Sequence, residues 1–149
     1  MFIPPPLFFV VPLLVGVWLN TRDPWPIVTA GSSVLVALGI AVLAAGIALD
    51  IVALRTFGRR GTTVLPALRP TSVIVASGPY RFTRNPMYVG LVLAYIGIAL
   101  LANTVWQFLL LPAGVLAVDR YVIRREERYL AAKFGEEYNA YRRHVRRWL

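Results

Sequence analysis

Glu126 is the acidic residue whose surroundings point most directly to ligand binding. It falls on the same predicted helical stripe as Tyr129 and Leu130, so its carboxylate is expected on an apolar face at the membrane boundary. A carboxylate in that position is unfavourable without a partner. It is therefore expected to pair with Arg81 or Arg84, to receive the hydroxyls or ammonium group of a ligand, or to do both.

The residue types that are missing exclude several kinds of chemistry. The chain has no Cys, which excludes disulfide scaffolds, thiolate nucleophiles and Cys-ligated zinc. It has one histidine, His144, which excludes a site built from several histidines. No metal site is predicted.

The composition favours a membrane protein. Of the 149 residues, 58% are hydrophobic and 15% are charged, whereas soluble domains have about 25% charged residues. An ordinary cytosolic enzyme and a disordered chain are both disfavoured.

Four apolar stretches are long enough to be membrane spans, since about 20 helical residues cross the hydrocarbon layer. The predicted fold is an all-α integral membrane protein forming one domain over residues 1–149. The first stretch lacks both the basic residues and the cleavage site of a signal peptide, so it is read as a retained span. The expected spans are residues 6–20, 27–54, 86–101 and 104–123.

The second expected span carries a row of small residues that would allow close helix packing in lipid. Ala37, Ala41 and Ala45 recur every four residues, with Gly39 and Gly46 nearby. This row is the expected contact face of the helix.

The basic residues are concentrated between and after the spans in a way that predicts topology. Of 16 Lys and Arg residues, only Arg22 lies between the first two spans, and none lies between the last two. The positive-inside rule then puts residues 56–85, residues 124–149 and both termini in the cytoplasm, in a bacterial inner membrane. The net charge of +9 is thus read as a topology and anionic-lipid signal, and nucleic acid is not an expected partner.

The cytoplasmic segments are expected to do more than connect spans. The short apolar run Ser72–Ala76 should lie extended and form a wall or lid of a site. The fourth span is expected to continue as a helix to Phe134 and to end at Gly135. Residues 136–148 are predicted to form an amphipathic helix in the membrane interface, with arginines on its polar side.

A motif at residues 78–90, GPYRFTRNPMYVG, is followed by Glu126-Glu127 and by Phe134-Gly135-Glu136-Glu137-Tyr138 with Tyr141. In order and spacing this pattern resembles the membrane-embedded methyltransferases of the isoprenylcysteine carboxyl methyltransferase and phospholipid methyltransferase superfamily. The resemblance covers about residues 56–149.

The resemblance implies an enzyme that uses S-adenosyl-L-methionine in a cytoplasmic-face site without a Rossmann domain. It implies catalytic roles for Arg84, which suits a carboxylate through two parallel hydrogen bonds, and for Glu126. It also implies a set of residues that contact the cofactor: Ser72, Val73, Ile74, Val75, Tyr80, Asn85, Pro86, Met87, Tyr88 and Glu126.

The sequence does not identify the methyl acceptor. The chain has Arg84-Asn85-Pro86 where isoprenylcysteine enzymes have Arg-His-Pro, and His144 where they have an arginine, which puts any role of that arginine in doubt. A lipophilic or small acceptor is expected: an isoprenylcysteine-like carboxylate, an aminophospholipid or a thiol. Two alternatives are a non-catalytic module that binds anionic lipid or a partner through its basic tail, and a sterol-reductase-like NADPH enzyme. The oligomeric state is left open.

Overall fold

A computed structural model describes residues 4–29, 31–61 and 72–149. Over these ranges the chain is helical, as predicted, with a single isolated β-bridge between Thr83 and Arg146. The helices are α1 (Leu7–Arg22), α2 (Ser33–Arg59), α3 (Pro86–Leu101), α4 (Val105–Val118), a π-helical turn (Asp119–Ile123), α5 (Arg124–Phe134) and α6 (Glu136–His144), with a 3-10 turn at Gly78–Arg81.

Two of the described helices are long and apolar enough to cross a membrane. They are Ser33–Arg59 and the continuous helix Val105–Phe134 that joins α4 to α5. The helices α1 and α3 are apolar but shorter, with 16 residues each. Crossing by all four therefore stays a prediction.

The glycines of α2 form its contact face with α3. Gly39, Gly46 and Ala53 are buried at seven-residue intervals, and a Cβ atom on Gly46 would lie 2.7 Å from the backbone oxygen of Gly90. The expected alanine row is wrong as a contact face, because those alanines are exposed: Ala37, Ala41 and Ala45. The glycines of α2 face α3, and their lack of a side chain lets the two backbones approach closely. The alanines lie on another side of α2.

Polar contacts join α1, α3 and α4 within the apolar region. The fully buried Gln107 accepts a hydrogen bond from the Tyr95 hydroxyl at 3.0 Å and donates one to the Leu13 carbonyl at 3.1 Å. Gly16 leaves the space that the Gln107 amide fills. Buried polar groups in an apolar region are stable when paired in this way.

The helix that follows α4 continues to Phe134 as predicted, and Gly135 follows it with a φ of 56°. The π-helical turn at Asp119–Ile123 was not predicted. A π turn inserts about one residue into the helical repeat, which rotates every later side chain about the helix axis. The helix α6 ends at His144, so the expected helix over residues 136–148 was too long.

Candidate functional site

The site is a cavity of about 370 Å³ between α2, α3, α5, α6 and the non-helical chain before α3. This volume lies in the range of small-molecule sites. Nearly all predicted site residues line the cavity: Val73, Ile74, Val75, Tyr80, Arg84, Asn85, Pro86, Met87, Tyr88 and Glu126. Ser72 is exposed and is not among the lining residues.

An apolar and aromatic wall forms one side of the cavity. Residues 72–77 contain no helix, and Val75 is buried against Ala53 and Tyr80. The rings of Tyr80 and Phe57 meet edge to face with their centroids 4.9 Å apart. Burial raises the pKa of the Tyr80 hydroxyl above its ordinary value, so this group stays protonated. The wall can pack against a flat, apolar ligand group.

Glu126 faces the cavity and is held by a neighbouring helix. The Tyr88 hydroxyl of α3 donates a hydrogen bond to Glu126 Oε2 at 3.1 Å. The expected ion pair between Glu126 and Arg81 or Arg84 is wrong, because Arg84 pairs with Glu127 instead. The carboxylate of Glu126 therefore has no cationic partner among the described residues.

Arg84 is paired inside the protein as well as lining the cavity. Its Nη1 lies 3.0 Å from Glu127 Oε1, and both side chains are 10% exposed. Glu127 is buried and pairs with Arg84 and with Arg147, which come from other parts of the chain. The buried Nε of Arg84 has no hydrogen-bond partner among the described residues, so this nitrogen can donate to a ligand.

The C-terminal segment is bound to α5 and to the π-helical turn through Arg147. Arg147 donates from Nε to Glu127 Oε1 at 3.0 Å and from Nη2 to Glu127 Oε2 at 2.6 Å, and its Nη1 donates to Asp119 Oδ1 at 3.3 Å. The hydrogen bond with Glu127 raises the pKa of Arg147. Arg147 was expected on the outer, polar side of an interfacial helix; it lies inside because α6 has already ended and the chain turns back.

The loop before α3 binds the backbone of this same segment. Asn85 Nδ2 and Thr83 Oγ1 both donate to the Arg147 carbonyl, at 2.9 and 3.1 Å, and the Arg84 amide donates to the Arg146 carbonyl at 2.9 Å. The Tyr141 hydroxyl of α6 donates to the Tyr80 carbonyl at 2.7 Å. The Asn-Pro motif thus fixes the loop to the C-terminal segment.

Asp50 is a cavity residue that the sequence analysis missed. It lies in α2, and its buried Oδ1 has no hydrogen-bond partner among the described residues. A Cβ atom on Gly90 would collide with the carboxylate, so Gly90 leaves the space for it. A signal was present, because an acidic residue inside an apolar span marks a functional position.

Comparisons with known proteins agree with this architecture. The family model described as phospholipid methyltransferase matches residues 34–137, more than half of the chain. An uncharacterized protein of Haemophilus influenzae is 38% identical over 63 residues, which are 42% of this chain and the whole of that protein. The cobalt-zinc-cadmium resistance protein CzcN of Cupriavidus metallidurans is 32% identical over 85 residues, which are 57% of this chain and 39% of that protein. No solved structure matches the chain significantly.

The match includes most of the cavity. It begins within α2, contains the loop and motif before α3, and extends through α5 to the start of α6. The two long apolar helices of the chain are consistent with a membrane methyltransferase. The chain therefore belongs to the phospholipid methyltransferase family, within the isoprenylcysteine carboxyl methyltransferase-like superfamily of membrane methyltransferases.

Proposed function

We propose that the protein is an S-adenosyl-L-methionine-dependent methyltransferase that modifies a lipophilic or small acceptor at the membrane. The observation that carries this proposal is the Glu126 carboxylate, held by Tyr88 at 3.1 Å against a cavity with an apolar wall. A carboxylate with no cationic partner favours a positively charged ligand.

The residues present suit each part of this cofactor. Val73, Ile74 and Val75 offer an apolar surface to the adenine ring. Glu126 can accept from the ribose hydroxyls or from the methionyl ammonium. The unpartnered Nε of Arg84 can donate to the methionyl carboxylate.

When bound, S-adenosyl-L-methionine supplies a methyl group attached to a sulfonium leaving group. The chain has to orient the acceptor in line with that methyl carbon and keep water out. Arg84 and Asn85 of the loop before α3, together with Tyr138 and Tyr141 of α6, line the cavity, and the loop is held by hydrogen bonds to the Arg147 carbonyl. No covalent enzyme intermediate is needed for a direct transfer.

We further propose that residues 1–149 form one domain with four membrane spans in a bacterial inner membrane. The support is the concentration of basic residues in residues 55–84 and 120–147. In that orientation both termini and the cofactor entrance face the cytoplasm, and the acceptor arrives from the bilayer.

Binding of S-adenosylhomocysteine to the purified protein in detergent tests the proposed cofactor. Calorimetry should show saturable binding that Glu126→Ala and Tyr88→Ala both weaken. A folded protein that binds none of this compound would contradict the proposal. Binding of NADPH in its place would favour the reductase alternative.

The non-catalytic alternative makes a different prediction. It requires that replacing the basic residues of the tail, Arg142, Arg143, Arg146 and Arg147, abolishes function while Glu126 is dispensable. Arg147 is engaged with Glu127, so it does not belong to a surface held ready for lipid. The cavity is unexplained by this alternative.

A further inference from the structure

Asp50 carries an unmet hydrogen-bonding requirement inside the cavity. Its Oδ1 is buried and has no hydrogen-bond partner among the described residues. A buried carboxylate oxygen without a donor is unfavourable, because it has lost its hydrogen bonds to water and gained none from the protein. We expect a molecule bound in the cavity to donate a hydrogen bond to this oxygen.

The position of Asp50 separates it from the residues assigned to the cofactor. Asp50 faces Gly90, which lies four residues into α3 from Pro86, or about 6 Å along the helix. Met87 lies at the start of α3 and Tyr80 lies in the 3-10 turn before it, at the cytoplasmic end of the proposed topology. In that topology Asp50 is deeper towards the bilayer, and the apolar side chains of Leu54 and Leu91 line the same cavity.

The charges around the cavity restrict what can bind beside Asp50. Among the described lining residues, Arg84 is the one cation, and Glu127 already pairs with it. Asp50 and Glu126 add two carboxylates that have no cationic partner among the described residues. An acceptor that is itself an ionised carboxylate would meet like charges here.

Resting on the proposed function, we infer that Asp50 binds the proton-bearing atom of the methyl acceptor, an amine or a thiol, and takes its proton during transfer. The acceptor reacts as the neutral amine or the thiol, and the lone pair of its nitrogen or sulfur forms the bond to the methyl carbon. The bond from carbon to sulfur breaks, and its electron pair stays on the departing neutral sulfur. The proton of the acceptor passes to Asp50 Oδ1, so one carboxylate charge and the sulfonium charge disappear together.

Three single-chain probes of equal length test this inference: dodecylamine, dodecanethiol and dodecanoate. The full chain is placed in phosphatidylcholine nanodiscs and saturated with S-adenosylhomocysteine, and probe binding is measured against empty nanodiscs. Methyl transfer to each probe is measured with labelled S-adenosyl-L-methionine. The variants are Asp50→Asn, which keeps the shape, and Asp50→Ala, which removes the group. Asp23→Asn is the control because Asp23 is exposed and lies outside the cavity.

We expect dodecylamine to bind more tightly than dodecanoate, and both Asp50 variants to weaken dodecylamine binding about tenfold. Their dissociation constants for S-adenosylhomocysteine should stay within about twofold of the unsubstituted protein. Transfer should favour the amine or the thiol over dodecanoate and should fall in the variants through kcat. The control should match the unsubstituted protein in every measurement.

Three results would overturn the inference. They are a preference for dodecanoate, unchanged dodecylamine binding in both Asp50 variants, and a loss of S-adenosylhomocysteine affinity as large as the loss for the amine. The last would make Asp50 a cofactor residue. Failure of the unsubstituted protein to bind S-adenosylhomocysteine would instead refute the proposed function.

Discussion

Glu127 and Arg147 form a two-point ion pair, with Nε to Oε1 at 3.0 Å and Nη2 to Oε2 at 2.6 Å. The pair links α5 to the C-terminal segment, and Arg84 joins it from the loop before α3. Three parts of the chain that are far apart in sequence thus meet on one buried carboxylate.

Glu127→Gln should destabilise the folded protein strongly. It leaves Arg84 and Arg147 without their shared partner, and removing one member of a buried ion pair costs about 3–5 kcal/mol. Denaturant unfolding in detergent, followed by circular dichroism, measures the change. Arg143→Ala is the control, since Arg143 pairs with the exposed Glu136, and it should leave the unfolding midpoint unchanged. Equal stability of the two variants would show that the Glu127 cluster does not hold the fold.

Tyr88→Phe should weaken S-adenosylhomocysteine binding without unfolding the protein. The ring and its packing remain, and the hydrogen bond that orients Glu126 is lost. We expect the dissociation constant to rise about fivefold, which corresponds to about 1 kcal/mol. Tyr121→Phe is a matched control, because Tyr121 is exposed and lies outside the cavity. If both variants bind equally well, Tyr88 does not position a ligand-binding carboxylate.

Gly46→Ala should force α2 and α3 apart. The added Cβ atom would lie 2.7 Å from two backbone atoms of α3, which cannot rotate away as a flexible side chain could. Overpacking of this kind costs about 1–3 kcal/mol. Gly58→Ala, in the same helix with open space around its Cβ position, should be neutral or slightly stabilising. Thermal unfolding of both variants in one detergent gives the comparison.

Gln107→Leu should destabilise the packing of α1, α3 and α4. It removes the acceptor of the Tyr95 hydroxyl and the donor to the Leu13 carbonyl. Such polar contacts between membrane helices contribute about 1–2 kcal/mol. Combined with Tyr95→Phe, the total loss should be smaller than the sum of the single losses, because both changes break the same hydrogen bond. Strict additivity would contradict the contact.

Four spans with cytoplasmic termini can be tested by labelling. Since the chain has no native Cys, Asp23→Cys and Arg143→Cys each introduce a single reactive thiol at an exposed position. In intact spheroplasts, a membrane-impermeant maleimide should label position 23 and spare position 143. Lysis should make both positions reactive. Labelling of position 143 before lysis would refute the proposed orientation.

The wall of the site could be predicted from sequence because its residues lie close together in the chain. The apolar run at 73–75 and the motif at 84–88 line the cavity as expected. The partners of Glu127 could not be predicted, because Arg84 reaches it from the loop before α3 and Arg147 reaches it from the C-terminal segment. The inward turn of Arg147 depends on contacts between chain segments far apart in sequence. The local sequence pattern around Arg147 does not predict such contacts.

The close approach of Gly90 to Asp50 links two positions on different helices. Any side chain at position 90 would occupy the volume of the position 50 carboxylate, so the two sites cannot vary independently. A redesign of this enzyme for another substrate would have to alter them as a pair. Enlarging position 90 while shortening position 50 would move the boundary of the cavity between α2 and α3 by the size of one methyl group.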